Sequence, residues 1–201
     1  RLIQIDHANI SSIAQYSDAE LQAAYDLLVG DSGCKYPWVN VGIETASGEL
    51  LGANGGAPKM WRCARSEWAE FAAEHLRRLC RIGFLPMASL IVGLPGEQEE
   101  DIRLTLEWVE SLQNERITIF PVLYAPIDGG SGVRAHDLSE LHWKLVKACY
   151  RLNFKWIPRM YWDNQAGAGV SITKRLVLQA LGRGQILQWN ALFAIHGRRA
   201  R

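Results

Sequence analysis

One stretch, Phe84 to Gln113 (FLPMASLIVGLPGEQEEDIRLTLEWVESLQ), changes its hydrophobic period midway, and that change restricts the fold. Leu90, Ile91 and Val92 form a short apolar run between Pro86 and Gly93, the pattern of a strand buried on both faces. Gly93-Leu94-Pro95-Gly96 follows, a turn whose glycines reach backbone conformations closed to other residues. From Glu97 onward Ile102, Leu106 and Val109 recur at helical spacing. Strand, tight turn and amphipathic helix make half of a βαβ unit, and such units bind ligands where the strand ends. The turn does not suit a phosphate. Glu97, Glu99, Glu100 and Asp101 crowd the helix start, and no Lys or Arg follows the glycines. A neutral or cationic ligand fits better.

The same alternation runs through the chain. Leu2, Ile3 and Ile5 predict a first strand that ends at Asp6-His7-Ala8-Asn9. Ser17 to Glu20 is a capping box for a helix that Gly30 stops. Pro37 to Ile43 reads as a second strand with Glu44 and Thr45 at its carboxyl end, and residues 46–65 read as irregular. Ser66 is the expected cap of the next helix, whose apolar stripe includes Trp68, Ala72, Leu76 and Leu79. Ile117 to Tyr124 reads as the fourth strand and Leu138 to Leu152 as a helix. The order βαβαβαβα predicts an α/β fold with a parallel sheet and right-handed crossovers. From Phe154 the pattern dissolves. A helix is expected over Thr173–Leu181, closed by Gly182, and Ile186 to Ile195 shows no clear period. The chain therefore divides into residues 1–153 and a mainly helical extension over 154–201.

With 201 residues, 48% of them hydrophobic, the chain is long enough for one domain with a substantial core. A formal net charge of +1 points to neither nucleic acid nor membrane. No apolar run among these 201 residues is long enough to span a bilayer, and none of them reads as a signal peptide. Cys34, Cys63, Cys80 and Cys149 show no close metal-ligand spacing, so a reduced, cytoplasmic protein with packing cysteines is expected. Eight tryptophans are many for this length, and several are expected in a cleft or subunit contact. Arg198, Arg199 and Arg201 read as a solvated tail rather than an RNA contact. The chain opens on Arg1 directly before strand-like sequence, which reads as a piece of a longer protein.

In a parallel α/β array the functional groups lie just past the strands. That selects Asp6, His7 and Asn9, then Glu44 and Thr45, then Gly93 to Glu97, then Tyr124 to Asp128. Each has a structural alternative. His7 can cap a helix or bond a backbone carbonyl, and Glu44 can be a structural ion-pair partner.

Three of these clusters together resemble the second half of the radical S-adenosylmethionine (radical SAM) superfamily core. Val41-Gly42-Ile43-Glu44-Thr45 resembles the fourth strand of that barrel. Ser89 to Glu97, continuing as EEDIRLTLEWVESL, is similar to its fifth strand and following helix, and Phe120 to Pro126 stands where the sixth strand ends. Within the superfamily the cast is nearest the Elp3/MiaB/NifB-like and cobalamin-dependent groups. The resemblance implies the last four βα units of a TIM-like (βα)6 partial barrel. It implies a [4Fe-4S] cluster held by CxxxCxxC, whose electron splits SAM to methionine and a 5′-deoxyadenosyl radical.

Carried over residue by residue, the resemblance puts Glu44 and Thr45 at the ribose and methionine portions of SAM. It places Ile91, Val92 and Gly93 against adenine, and Tyr124, Ala125 and Pro126 at the adenine edge. Lys59 is a looser match for the SAM carboxylate. Asp6, His7 and Asn9 then face substrate. An electron donor such as flavodoxin or ferredoxin is implied, and a cobalamin domain is admitted. The departure is plain: these 201 residues contain no CxxxCxxC and no Gly-Gly-Glu segment. The chain alone is expected to hold no cluster and to be inactive. The rival readings are a non-catalytic nucleoside- or partner-binding remnant and an acid–base enzyme using His7 and Glu44.

Overall fold

The computed structural model describes residues 3–199. Four strands, β1 (Gln4–Ala8), β2 (Trp38–Glu44), β3 (Leu85–Val92) and β4 (Thr118–Leu123), form one sheet in sequence order. All three pairings are parallel. Leu2 and Arg201, and the side chains of Arg198 and Arg199, lie outside the described residues.

The connections are helical because parallel neighbours require a crossover. After β1 come α1 (Ile10–Ile13) and α2 (Asp18–Val29). After β2 come α3 (Gly48–Ala53), α4 (Ala57–Met60), a 3₁₀ turn over Arg65–Glu67 and α5 (Trp68–Ile82). After β3 comes α6 (Glu99–Ser111), and after β4 come α7 (Glu140–Gly167) and α8 (Ile172–Arg199). The Ser17–Glu20 capping box starts α2 as expected. Ser66 caps nothing: it sits inside the 3₁₀ turn, and α5 begins without a side-chain cap. Residues 46–65, expected to be irregular, contain α3 and α4.

Strand side chains alternate between faces, and here the faces differ. Val39, Val41, Ile43, Ala88, Leu90, Val92 and Ile119 are buried in one core with Trp68, Leu76, Val109 and Leu112 from the crossover helices. Asn40, Gly42, Glu44, Ser89 and Ile91 have the opposite parity and are only partly covered. The sheet thus has one packed face and one accessible face. Its four strands leave β1 and β4 as edges, so closure into a barrel is not shown by these residues.

The extension departs most from the sequence expectation. α7 does not end at Leu152 but runs on through Pro158 to Gly167, and α8 runs through Gly182. Two buried asparagines anchor α7. Asn153 accepts from the Ile119 N–H at 2.8 Å and donates to the Ile119 carbonyl at 2.7 Å, so it satisfies the outer edge of β4 as a neighbouring strand would. Asn164 accepts from the N–H groups of Lys35 and Tyr36 and donates to the Tyr36 carbonyl, which fixes the lead into β2. Pro158 has no N–H to give the helix, but its carbonyl accepts from Gln179 Nε2 on α8. The rings of Tyr150, Trp189 and Phe193, with centroids 5.0–5.6 Å apart, join the two helices.

Candidate functional site

The accessible face of the sheet lines a cleft of about 1130 Å³ that includes Asp6, His7, Asn40, Gly42, Glu44 and Lys59. Glu44 ends β2 in the left-handed backbone region, with φ 68°, where the β2–β3 register shifts. A non-glycine residue there is uncommon and strained, which marks a place where side-chain direction is set at a cost. The result is that the Glu44 carboxylate folds back over Gly42 and pairs with Lys59. Lys59 Nζ also donates to the Gly42 carbonyl at 3.2 Å. Any Cβ at position 42 would lie 2.4 Å from Glu44 Oε1 and 2.7 Å from Lys59 Nζ, so glycine is what lets this pair cross the strand. Both side chains keep partial access to solvent.

Asp6, at the edge of the same cleft, accepts from Asn40 Nδ2 at 3.2 Å. His7 Nδ1 lies 3.2 Å from the other Asp6 oxygen, and both residues are exposed. Asn9 lines the same cleft, and its side chain also caps α1 by accepting from Ser11 N–H at 3.0 Å. Asn40 was missed in the sequence, although its parity with Gly42 and Glu44 would have found it.

Two further expectations fail on strand alternation. Ile91 is on the accessible face, so its neighbour Val92 points into the helical core, where it is fully buried. Thr45 likewise follows Glu44 but is buried. Its Oγ1 bonds Thr105 Oγ1 at 3.2 Å and accepts from Ser47 N–H, and its carbonyl accepts from Trp68 Nε1. Thr45 holds the β2 end onto the helices; it does not reach the cleft.

The Gly93 turn is latched from outside. Its N–H donates to Glu97 Oε2 at 2.9 Å, and the same oxygen lies 2.8 Å from His142 Nε2. His142 Nδ1 receives the Ser139 backbone N–H at 3.1 Å, so Nδ1 is an acceptor and the proton of the neutral ring sits on Nε2, donated to Glu97. Glu97 is therefore committed inside the fold and is not free to meet a cationic ligand. Gly93 has φ 82°, and a Cβ there would lie 2.6 Å from Val133 Cγ2, so glycine is required by the fold itself. Tyr124 donates its N–H to the Val92 carbonyl and accepts the Val133 N–H, which occupies its main chain. Ala125 is exposed and Pro126 is half-buried beyond it.

The described residues do not fit an iron–sulfur cluster. No group of three metal-ligating side chains forms among them, and the four cysteines are unpaired. Burial pushes the Cys80 and Cys149 thiols up to about 12, which opposes the thiolate form that iron binds. No helix among the described residues is long and apolar enough to cross a membrane.

No family model matches the chain. Over 125 residues it is 29% identical to ribosomal protein uS12 methylthiotransferase RimO of Acinetobacter baylyi, covering 62% of this chain and 25% of that protein. The same-named protein of Vibrio vulnificus is 29% identical over 104 residues, 52% of this chain and 20% of its own. That of Geobacter sulfurreducens is 40% identical over 73 residues, 33% of this chain and 16% of its own. The chain thus spans a quarter or less of the length of these relatives. The similarity supports an enzyme superfamily, that of the strand motifs, and no subgroup within it.

Proposed function

We propose that these residues form the nucleoside-facing part of a radical SAM enzyme, acting with a cluster-binding segment outside them. The observation that carries this reading is the Glu44–Lys59 pair laid across Gly42 at the carboxyl end of β2. A carboxylate at that point accepts the O–H groups of a ribose, and an ammonium beside it pairs with a carboxylate; SAM carries both. Ile91, on the same face, offers an apolar surface for adenine, and the exposed Ala125 stands at the same end of the sheet. When bound, SAM supplies the sulfonium whose reductive cleavage defines this chemistry.

In this reading the chain's own residues bind and orient. Because Lys59 already partners Glu44, ligand entry exchanges that contact for two new ones rather than filling two free charges. The relatives' activity on uS12 is a property of those proteins. An electron donor such as flavodoxin or ferredoxin belongs to the proposal, whereas nothing supports cobalamin. Equilibrium dialysis of SAM against the complete native protein, purified anaerobically, tests the reading. Stoichiometric binding is expected, and its absence at millimolar SAM overturns it.

A further inference from the structure

The net charge of +1 hides a division along the chain. Residues 1–140 hold 11 Lys and Arg against 20 Asp and Glu, whereas residues 141–201 hold 11 against one, Asp163. Such an asymmetry between parts of a chain points to an anionic partner for the basic part. The two carboxylates of α7 are already paired, Glu140 with Lys144 at 2.9 Å and Asp163 with Lys35 at 3.3 Å. α8 contains no Asp or Glu. Lys147, Arg151, Lys155 and Arg159 recur every four residues, so they form one outward row on α7. Trp162 continues that row, and Arg175 of α8 stacks on its ring, 3.8 Å from the centroid. The row thus runs on to α8.

α8 adds exposed apolar surface beside those cations. Nine of its large apolar side chains are exposed among the described residues, Leu176 by 57% and Leu187 by 71%. Helical spacing puts Ile172, Leu176, Arg183 and Leu187 on one face of α8, the face adjoining Arg175. Cations and a strip of exposed apolar side chains on one side are what a helix lying in a lipid interface presents. We propose that α7 and α8 dock on an anionic lipid surface, the α7 row against the headgroups and Leu176 and Leu187 in the acyl boundary. Charge and apolarity together select this occupant. A second α8 would set cations against cations. The acidic residues 1–140 of a second copy would offer carboxylates, but their six exposed large apolar side chains belong to six different helices, strands or loops and form no strip to receive the leucines. A nucleic acid would use the cations and leave the leucines in water. The proposal is independent of the SAM reading.

Flotation of the complete protein with vesicles tests it, using phosphatidylcholine alone and phosphatidylcholine with about one-third phosphatidylserine. The protein is expected to float with the anionic vesicles and not with the neutral ones, and to bind more weakly at about 0.5 M salt. Arg151→Gln should weaken binding about five-fold, the worth of one cation at such a surface. Leu187→Ser should weaken it about ten-fold, the worth of one leucine withdrawn from water. Both side chains are exposed, so Tm should stay at the wild-type value in each variant. Absence from the anionic vesicles overturns the proposal. Equal binding to neutral vesicles removes the role of the cation row. Binding that Leu187→Ser leaves unchanged marks a plain polyanion site and overturns the lipid assignment. Sedimentation equilibrium reads the remaining occupant: a dimer that Leu187→Ser dissolves, in a protein that binds no vesicle, gives the face to a second copy instead.

Discussion

His142, in the first turn of α7, donates its Nε2 proton to an oxygen of Glu97, 45 residues earlier in the chain, and that oxygen also receives the Gly93 amide. The start of α7 thereby holds the turn that ends β3. Both side chains are largely withdrawn from solvent, so removing His142 takes a shielded hydrogen bond from Glu97 and leaves it only the Gly93 amide. His142→Ala should cost about 1.5–3 kcal/mol, the range for hydrogen bonds to charged groups. For a chain of this size that lowers Tm by roughly 3–12 °C. A thermal melt within a degree of wild type would show that the turn needs no latch.

His75 makes stability pH-dependent in a defined direction. Its Nδ1 lies 2.9 Å from Arg78 Nη1, and a guanidinium can only donate, so Nδ1 accepts and the ring is neutral. Burial first, and then the Arg78 charge, hold its pKa below the ordinary histidine value. The unfolded chain consequently takes up the proton first as pH falls. This contribution to stability is complete above the unfolded pKa of about 6.5 and is lost as pH drops from there toward the folded value. Urea unfolding at pH 8 and pH 5.5 should show the loss, and His75→Gln should make the slope shallower. An identical slope in the variant removes His75 as its source.

Asn153 closes the β4 edge, so Asn153→Ala leaves the Ile119 N–H and carbonyl unpaired in a buried setting. Two such groups cost about 2–6 kcal/mol together. The variant should melt lower and aggregate more readily on heating, because a loosened α7 uncovers a ladder that can pair with another chain. Light scattering during a thermal ramp reads both effects.

The strands were legible because each is a short apolar run, with Gly or Pro in or beside β2, β3 and β4, and their parallel order followed from helices in every gap. The extension was not. The pattern dissolved from Phe154 and Gly182 read as a stop, yet α7 and α8 continue through Pro158 and Gly182, with the Tyr150–Trp189–Phe193 cluster and the Gln179 bond holding the helices together. Local propensity yields there to tertiary packing. At the site, Glu44 and Lys59 could be named from the sequence, but not that they pair, since that depends on a left-handed residue at 44 and on bare space over Gly42. Thr45 and Val92 point inward for a readable reason: each follows a residue of the accessible face, Glu44 and Ile91, and is buried in turn.

The most direct measurement is SAM affinity of the complete, anaerobically purified protein with Glu44 and with Glu44→Gln. The amide keeps the shape of the side chain, and with it the left-handed backbone, but loses the charge. A charge-assisted hydrogen bond is worth about 1.5–3 kcal/mol, and Lys59 competes for the same carboxylate, so the lower end of that range applies. SAM should bind about ten-fold more weakly to Glu44→Gln, with Tm little changed. Equal affinity in the two proteins would show that this carboxylate does not contact the ligand and that the β2 end is not the SAM site.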